Sequence, residues 1–218
     1  MPAWTRDALL RHFRGGLIVS CQPVPGSPLD TVEIVRATAL AVVGSGAIGL
    51  RIESEANARA VAAATDLPVI GLIKRQRPAP ERLFITPGEE EIDTLAAAGA
   101  AVIAFDATHR ERSLPVADAI ARIRARGRLA LADCATVEEG RAAAAAGADL
   151  VASTLSGYTG PDPEPDGPDL DLVRALASAG LAAIAEGRIR YPAPFNYPHL
   201  RPAAGAAIVT ASTYVWTR

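Results

Sequence analysis

Charge of one sign, cysteine, histidine in ligand spacing and long apolar runs are all scarce in this chain, and each scarcity excludes a class of protein. Lysine and arginine number 22 against 24 acidic residues, a formal net charge of −2. A general nucleic-acid binder, which gathers a basic face, is therefore not expected. The two cysteines, Cys21 and Cys134, fall at the ends of the first and fifth predicted strands. They lie roughly across the expected fold from each other and are poor disulfide partners, so buried thiols in a reducing cytoplasm are expected. His12, His109 and His199 show no ligand spacing, so no metal site is expected. The longest charge-free stretches, such as Ala37 to Leu50, are broken by Gly44, Gly46 and Gly49. They fall short of the ~18 apolar residues a spanning helix needs. Arg6, Asp7 and Arg11 stand where a secretion signal would be apolar. Gly44-Ser45-Gly46 precedes a strand, the wrong order for a dinucleotide-binding loop.

What is present is a rhythm. Seven times a run of small or β-branched apolar residues ends in one polar side chain: Gln22, Arg51, Lys74, Asp106, Asp133, Thr154 and Glu186. An Ala-rich helical stretch usually follows. Helices are predicted at about 31–45, 54–65, 89–99, 116–126, 136–146 and 169–179, and the βαβ alternation demands parallel pairing. The fold class is therefore α/β, a (β/α)8 or TIM barrel, in a single domain spanning 1–218. At 218 residues the chain is slightly short of the ~250 typical of such barrels. Residues 4–14 read as a short amphipathic helix, with Leu9, Leu10 and Phe13 on one face, plugging the barrel bottom. Pro192, Pro194, Pro198 and Pro202 argue against a regular seventh helix. Too few residues follow strand eight for an eighth helix, which leaves apolar surface for the N-terminal helix or a second copy of the chain, as in a homodimer, to cover.

The carboxyl ends of barrel strands converge on one mouth, where catalytic groups sit. Lys74 ends a wholly apolar run; desolvation of its stem disfavours the ammonium and suits a base or a Schiff-base amine. The alternative is a charged lysine snorkelling to the rim. Glu186 would meet it as a tunable acid, or would form a structural ion pair with Arg51 or Arg188. Asp106 and Asp133 either orient arginines or bind substrate. Arg51, Arg75, Arg77 and Arg188 suggest an anionic ligand, and Gly187 would let a backbone N–H approach a phosphate. The run Ser153-Thr154-Leu155-Ser156-Gly157-Tyr158-Thr159 offers hydroxyls to a polyol.

The segments Gly16-Leu17-Ile18-Val19-Ser20-Cys21-Gln22, Val69-Ile70-Gly71-Leu72-Ile73-Lys74-Arg75, Phe105-Asp106-Ala107-Thr108, Leu131-Ala132-Asp133-Cys134, Thr154-Leu155-Ser156-Gly157-Tyr158-Thr159 and Ala185-Glu186-Gly187-Arg188 carry a resemblance. In that order they resemble the N-acylglucosamine-6-phosphate 2-epimerase family, over about residues 15–189. The resemblance implies interconversion of N-acetylmannosamine 6-phosphate and N-acetylglucosamine 6-phosphate without metal or redox cofactor. It implies Lys74 as acid/base and Glu186 as its carboxylate partner, and Gln22, Arg51 and Asp133 as sugar ligands; the hydroxyls of Thr154, Ser156 and Tyr158 are expected to bind substrate beside them. Gly187, Arg188, Ser212 and Arg218 would hold the phosphate. The chain departs from the family pattern in Gln76-Arg77, where Asp-Tyr is usual, and in Ala211-Ser212-Thr213, where glycines are usual. Thr217-Arg218 resembles the family's Thr-Arg with a longer spacing. Two other readings remain at this stage: a non-catalytic sugar-phosphate-binding barrel, and a Schiff-base lyase or aldolase using Lys74.

Overall fold

The computed structural model describes residues 4–76, 83–159, 166–189 and, as backbone, 208–212. Eight parallel strands close into a barrel in the order β1 (Leu17–Cys21), β2 (Gly49–Glu53), β3 (Val69–Leu72), β6 (Val102–Asp106), β7 (Leu129–Asp133), β8 (Leu150–Ala152), β9 (Ala183–Ala185) and β10 (Ile208–Ser212), which returns to β1. The remaining two, β4 (Lys74–Gln76) and β5 (Leu83–Ile85), form a small antiparallel hairpin above β3.

Strand residues alternate between two layers, because successive side chains point to opposite faces. Ile18, Ile70, Leu72, Val102, Ala104, Leu131, Leu150, Ala152 and Ile184 fill the barrel interior in one apolar cluster. Val19, Cys21, Leu50, Ile52, Val69, Ile103, Phe105, Ala130, Ala132, Cys134, Val151 and Ala183 belong to a second cluster shared with the helices. Carrying the inward parity one step past each apolar run lands on Gln22, Glu53, Lys74, Asp106, Asp133, Thr154 and Glu186. The rim residues are thus the continuation of the core stripe.

The helices are α2 (Val32–Gly44), α3 (Glu55–Ala62), α4 (Glu89–Ala97), α5 (Val116–Ala125), α6 (Val137–Ala145) and α7 (Leu170–Ser178), close to the predicted spans. Local caps define their starts: Thr31, Ser54, Thr136 and Asp169 each accept a hydrogen bond from a first-turn N–H. Thr136 and Glu139 complete a capping box on α6.

The N-terminal helix α1 (Arg6–Phe13) plugs the bottom of the barrel as expected: Leu9 and Phe13 are fully buried against Ile18, Ile70 and Leu150. Gly49 makes room for it, since a Cβ there would sit 2.7 Å from Phe13 Cε1. His12 reaches the carbonyl of Ile48 at 2.7 Å.

Two differences from the sequence reading matter at the mouth. Strand β2 does not stop at Arg51 but runs to Glu53. The chain after Lys74 turns into a hairpin, whose base is closed by Ile73 and Thr86: Thr86 N–H donates to the Ile73 carbonyl at 2.7 Å, and Ile73 N–H to Thr86 Oγ1 at 3.2 Å. The predicted irregular seventh helix and absent eighth helix fall on 190–207 and 213–218, outside the described residues.

Candidate active site

A cavity of about 910 Å³ opens at the carboxyl end of the strands. Its polar lining includes Gln22 from the end of β1, Arg51 and Glu53 from β2, Lys74 from β4, Thr154 after β8, and Glu186, Gly187 and Arg188 after β9. Tyr158 and Leu155 form one apolar wall, and the β1–α2 loop another. Counting around the closed sheet, β3 and β9 are four strands apart, so Lys74 and Glu186 enter from diametrically opposite sides.

Beneath the opening lies a buried ionic floor. Arg51, 2% exposed, spans the interior: its Nη2 donates to Asp133 Oδ2 at 2.7 Å, and its Nε lies 3.9 Å from Glu186 Oε1. Thr154 Oγ1 donates to the other Asp133 oxygen at 2.6 Å. Burial pushes the Asp133 carboxyl up to about 6, against the pull of Arg51 and with the repulsion of Glu186. Asp133 is fully buried and does not line the cavity. It stands under the floor, where it holds Arg51.

Glu186 is positioned through its backbone. Ser153 Oγ donates to the Glu186 carbonyl at 2.8 Å and accepts from its N–H at 3.2 Å, fastening the end of β9 to the end of β8. The side chain is 8% exposed, and its Oε2 has no hydrogen-bond partner among the described residues. Gln22 is similar: its Nε2 donates to Ser20 Oγ at 2.6 Å, while its buried Oε1 has no partner among the described residues. Native interiors seldom leave such atoms unpaired, so both suit a ligand placed between them.

On the facing side Lys74 Nζ lies 3.6 Å from Glu53 Oε2. Among the described residues the carboxylate ion-paired with the lysine is Glu53, a residue the sequence reading passed over. The signal was the alternation Arg51-Ile52-Glu53, which puts both charged residues on the inward parity. Among the described residues three that are not glycine take a positive φ, and all flank these groups: Ser54 at 75° after Glu53, Thr86 at 47° against Ile73, and Arg188 at 56° after Gly187. Such conformations cost roughly 1–3 kcal/mol each and cluster where side chains must be held in place.

Other expected site residues are placed as follows. Arg188 donates to the carbonyls of Gly167 at 2.7 Å and Ser156 at 2.6 Å, and its guanidinium stacks 5.3 Å from the Tyr158 ring. Gly187, with φ of 102°, packs its α-carbon against the β8 end, where a Cβ would lie 3.3 Å from the Thr154 carbonyl. Ser156 Oγ is committed to Asp169 at 2.6 Å, tying the loop to the start of α7, and does not line the cavity. Arg75 also lies away from the mouth, exposed and paired with Glu91 at 2.9 Å. Asp106 orients arginines, the first of its two expected roles: it binds Arg110 and Arg112 and accepts from Thr108. Cys21 and Cys134 are both buried, and burial raises the Cys134 thiol well above its ordinary value. Ser212 lies on β10, of which only the backbone is described; Arg77 and Arg218 are outside the described residues. Among the described residues no His, Cys, Asp and Glu cluster could hold a metal, and no helix is long and apolar enough to cross a membrane.

A (β/α)8 barrel that sets an amine and a carboxylate on opposite strands, over a buried arginine, has the arrangement that acid–base enzymes use. Residues 35–212 match the N-acetylmannosamine-6-phosphate epimerase family, NanE, and the chain belongs to that family. It is 50% identical over 209 residues to a protein of Yersinia pseudotuberculosis named N-acetylmannosamine-6-phosphate 2-epimerase, covering 95% of this chain and 84% of the relative. It is 52% identical over 187 residues to the bifunctional enzyme NanE/NanK of Brucella melitensis, covering 85% of this chain but only 36% of that longer relative. The solved N-acetylmannosamine-6-phosphate 2-epimerase of Clostridium perfringens superposes with a TM-score of 0.82 at 35% identity, over 94% of this chain and 89% of that one. The chain is accordingly an isomerase of the epimerase class.

Proposed function

We propose that the protein interconverts N-acetylmannosamine 6-phosphate and N-acetylglucosamine 6-phosphate by moving the proton on C2. The observation that carries this reading is the placement of Lys74 and Glu186 on opposite strands of one cavity. Inversion of a carbon needs proton removal at one face and return at the other, which groups facing each other across a ligand can supply. In the open-chain sugar C2 lies next to the C1 aldehyde, so its proton is acidified and its removal leaves an enolate. Lys74 takes or gives the proton on one side and Glu186 on the other.

Arg51 stands beside Glu186 at 3.9 Å and stabilises negative charge developing in the cavity. Asp133 and Thr154 act through Arg51 by fixing its guanidinium. Gln22 Oε1 accepts from a substrate hydroxyl or amide N–H, and Tyr158 walls the sugar. The phosphate is assigned to the Gly187 N–H and Arg188, together with Ser212 and Arg218. Two cysteines at the ends of different strands, poorly placed to pair, suit the reducing cytoplasm in which this reading puts the enzyme. In heavy water, deuterium is expected at C2 of the product, and Lys74→Ala is expected to abolish it. Exchange that survived this substitution would remove the lysine from the reaction.

A further inference from the structure

Glu53 is unused by the chemistry above, yet its carboxylate lies 3.6 Å from the catalytic amine. It shares the inward parity of Arg51, lines the cavity, and stands beside Leu72 in the β2–β3 register, one inward step below Lys74. Its backbone is held on the carboxyl side. The following residue, Ser54, donates its N–H to the Leu72 carbonyl at 2.9 Å, caps α3 with its hydroxyl, and takes a φ of 75°. Strain retained at a non-glycine residue marks a side chain that must point one way.

An amine 3.6 Å from a carboxylate is an ammonium–carboxylate pair. In that state Lys74 is an acid, and the C2 step in one direction needs it as a base. The substrate supplies the missing step. Hexosamine phosphates rest as closed rings, in which C1 carries two oxygens: the anomeric hydroxyl O1 and the ring oxygen O5. Opening the ring removes a proton from O1 and delivers one to O5. A base and an acid side by side can reach two oxygens on one carbon, and C2 is the next carbon along.

We propose that Glu53 and Lys74 together open the sugar ring. Glu53 takes the O1 proton, and the electron pair of the O1–H bond forms the C1 carbonyl. The C1–O5 bond breaks, its electron pair goes to O5, and O5 takes a proton from the Lys74 ammonium. The products are the open aldehyde, a protonated Glu53 and a neutral Lys74, now discharged beside C2. Closing the ring on the product reverses the exchange of protons. The pair thus couples ring opening to preparation of the base, and the inference rests on the epimerase reading of the same cavity.

The test uses two substrates and one readout, deuterium incorporation at C2. The first is N-acetylmannosamine 6-phosphate. The second is its analogue lacking the hydroxyls on C4 and C5, which cannot close a five- or six-membered ring. Glu53→Gln is expected to slow exchange into the first by about 100-fold, the usual scale for loss of a general base, while leaving exchange into the open analogue nearly unchanged. Exchange into the analogue also reports that the variant is folded. Glu53→Asp, which restores the carboxylate, is expected to recover part of the rate on the natural substrate. Equal losses on both substrates would overturn the proposal and make Glu53 a residue that only positions Lys74. An unchanged rate on both would overturn it too. Failure of the wild-type enzyme to exchange either substrate would instead sink the epimerase reading itself.

Discussion

The two ends of the barrel are built on opposite principles. At the bottom, α1 seals the interior with Leu9 and Phe13, both fully buried among apolar side chains. The turns from helix to strand there resolve positive φ with glycine, as at Gly99 and Gly147. At the mouth the interior is ionic: Arg51, Asp133 and Glu186 are all at least nine-tenths buried. Positive φ is imposed there on Ser54, Thr86 and Arg188. One end spends its sequence on stability, while the other holds charge and strain in place for a ligand.

The largest expected break in that contrast is Glu186→Gln. It removes a proton donor and acceptor at the mouth and should lower kcat by about 10²–10⁴-fold. The melting temperature should hold, because the Arg51 guanidinium keeps Asp133 as its partner at 2.7 Å and the Glu186 Oε2 has no partner among the described residues. Steady-state kinetics and a thermal melt on one sample read both quantities. A large fall in melting temperature would make Glu186 a structural ion rather than a working one.

The mirror-image experiment is Phe13→Ala at the bottom. Truncating a fully buried aromatic costs about 3–5 kcal/mol, read as a lower urea midpoint, with kcat per folded molecule unchanged. Gly49→Ala sharpens the same point at smaller size. The added Cβ would meet Phe13 Cε1 at 2.7 Å, and overpacking of this kind costs about 1–3 kcal/mol. A change in kcat from either would show that the plug communicates with the mouth.

Much of this contrast was legible in the sequence, because a closed parallel sheet needs apolar residues on both faces of each strand. The runs ending at Asp106, Asp133 and Glu186 therefore announced strands and their carboxyl ends together, and the helices fell within a few residues of expectation. What escaped followed from reading a strand as finished at its first charged residue. That habit stopped β2 at Arg51 and hid Glu53, although strict alternation reaches it. The same alternation puts Arg75 on the opposite parity to Lys74, and so away from the cavity. Beyond strand ends no period exists, and the destination of the Ser156 hydroxyl, Asp169 at 2.6 Å, depends on how the loop folds back on α7. The hairpin of β4 and β5 has no apolar alternation in Lys74-Arg75-Gln76 to announce it.

A smaller effect separates the buried floor from the surface by pH. The Asp133 carboxyl, raised from 3.8 to about 6 by burial, binds a proton in the folded protein where the unfolded chain has lost it. Its contribution to stability is therefore fully present below pH 3.8 and declines as pH rises to about 6. Asp133→Asn should flatten that part of the pH profile of unfolding free energy, whatever the variant's absolute stability. An unchanged slope between those values would mean that Arg51 keeps Asp133 ionised throughout.

Asp93 on α4 supplies the surface counterpart, and the smallest expected effect. It also pairs with arginines, Arg122 and Arg126, at 2.6 Å each, but at a solvent-exposed site. Hydrogen bonds from the two guanidinium groups hold its carboxyl well below the usual range, with little burial to oppose them. The sign is the reverse of that for Asp133: the folded state releases the proton more readily, so stability is present above the ordinary carboxylate value and is lost as pH falls below it. Asp93→Asn should lower stability slightly at neutral pH, by an amount that shrinks in high salt, because exposed pairs are screened over a Debye length of about 8 Å at physiological ionic strength. In strong acid the variant and the wild type should converge. Unfolding curves at two pH values and two salt concentrations decide the matter. A loss insensitive to salt would mean that this surface cluster clamps α4 to α5 by geometry, and that the contrast between a screened surface and an unscreened floor does not hold.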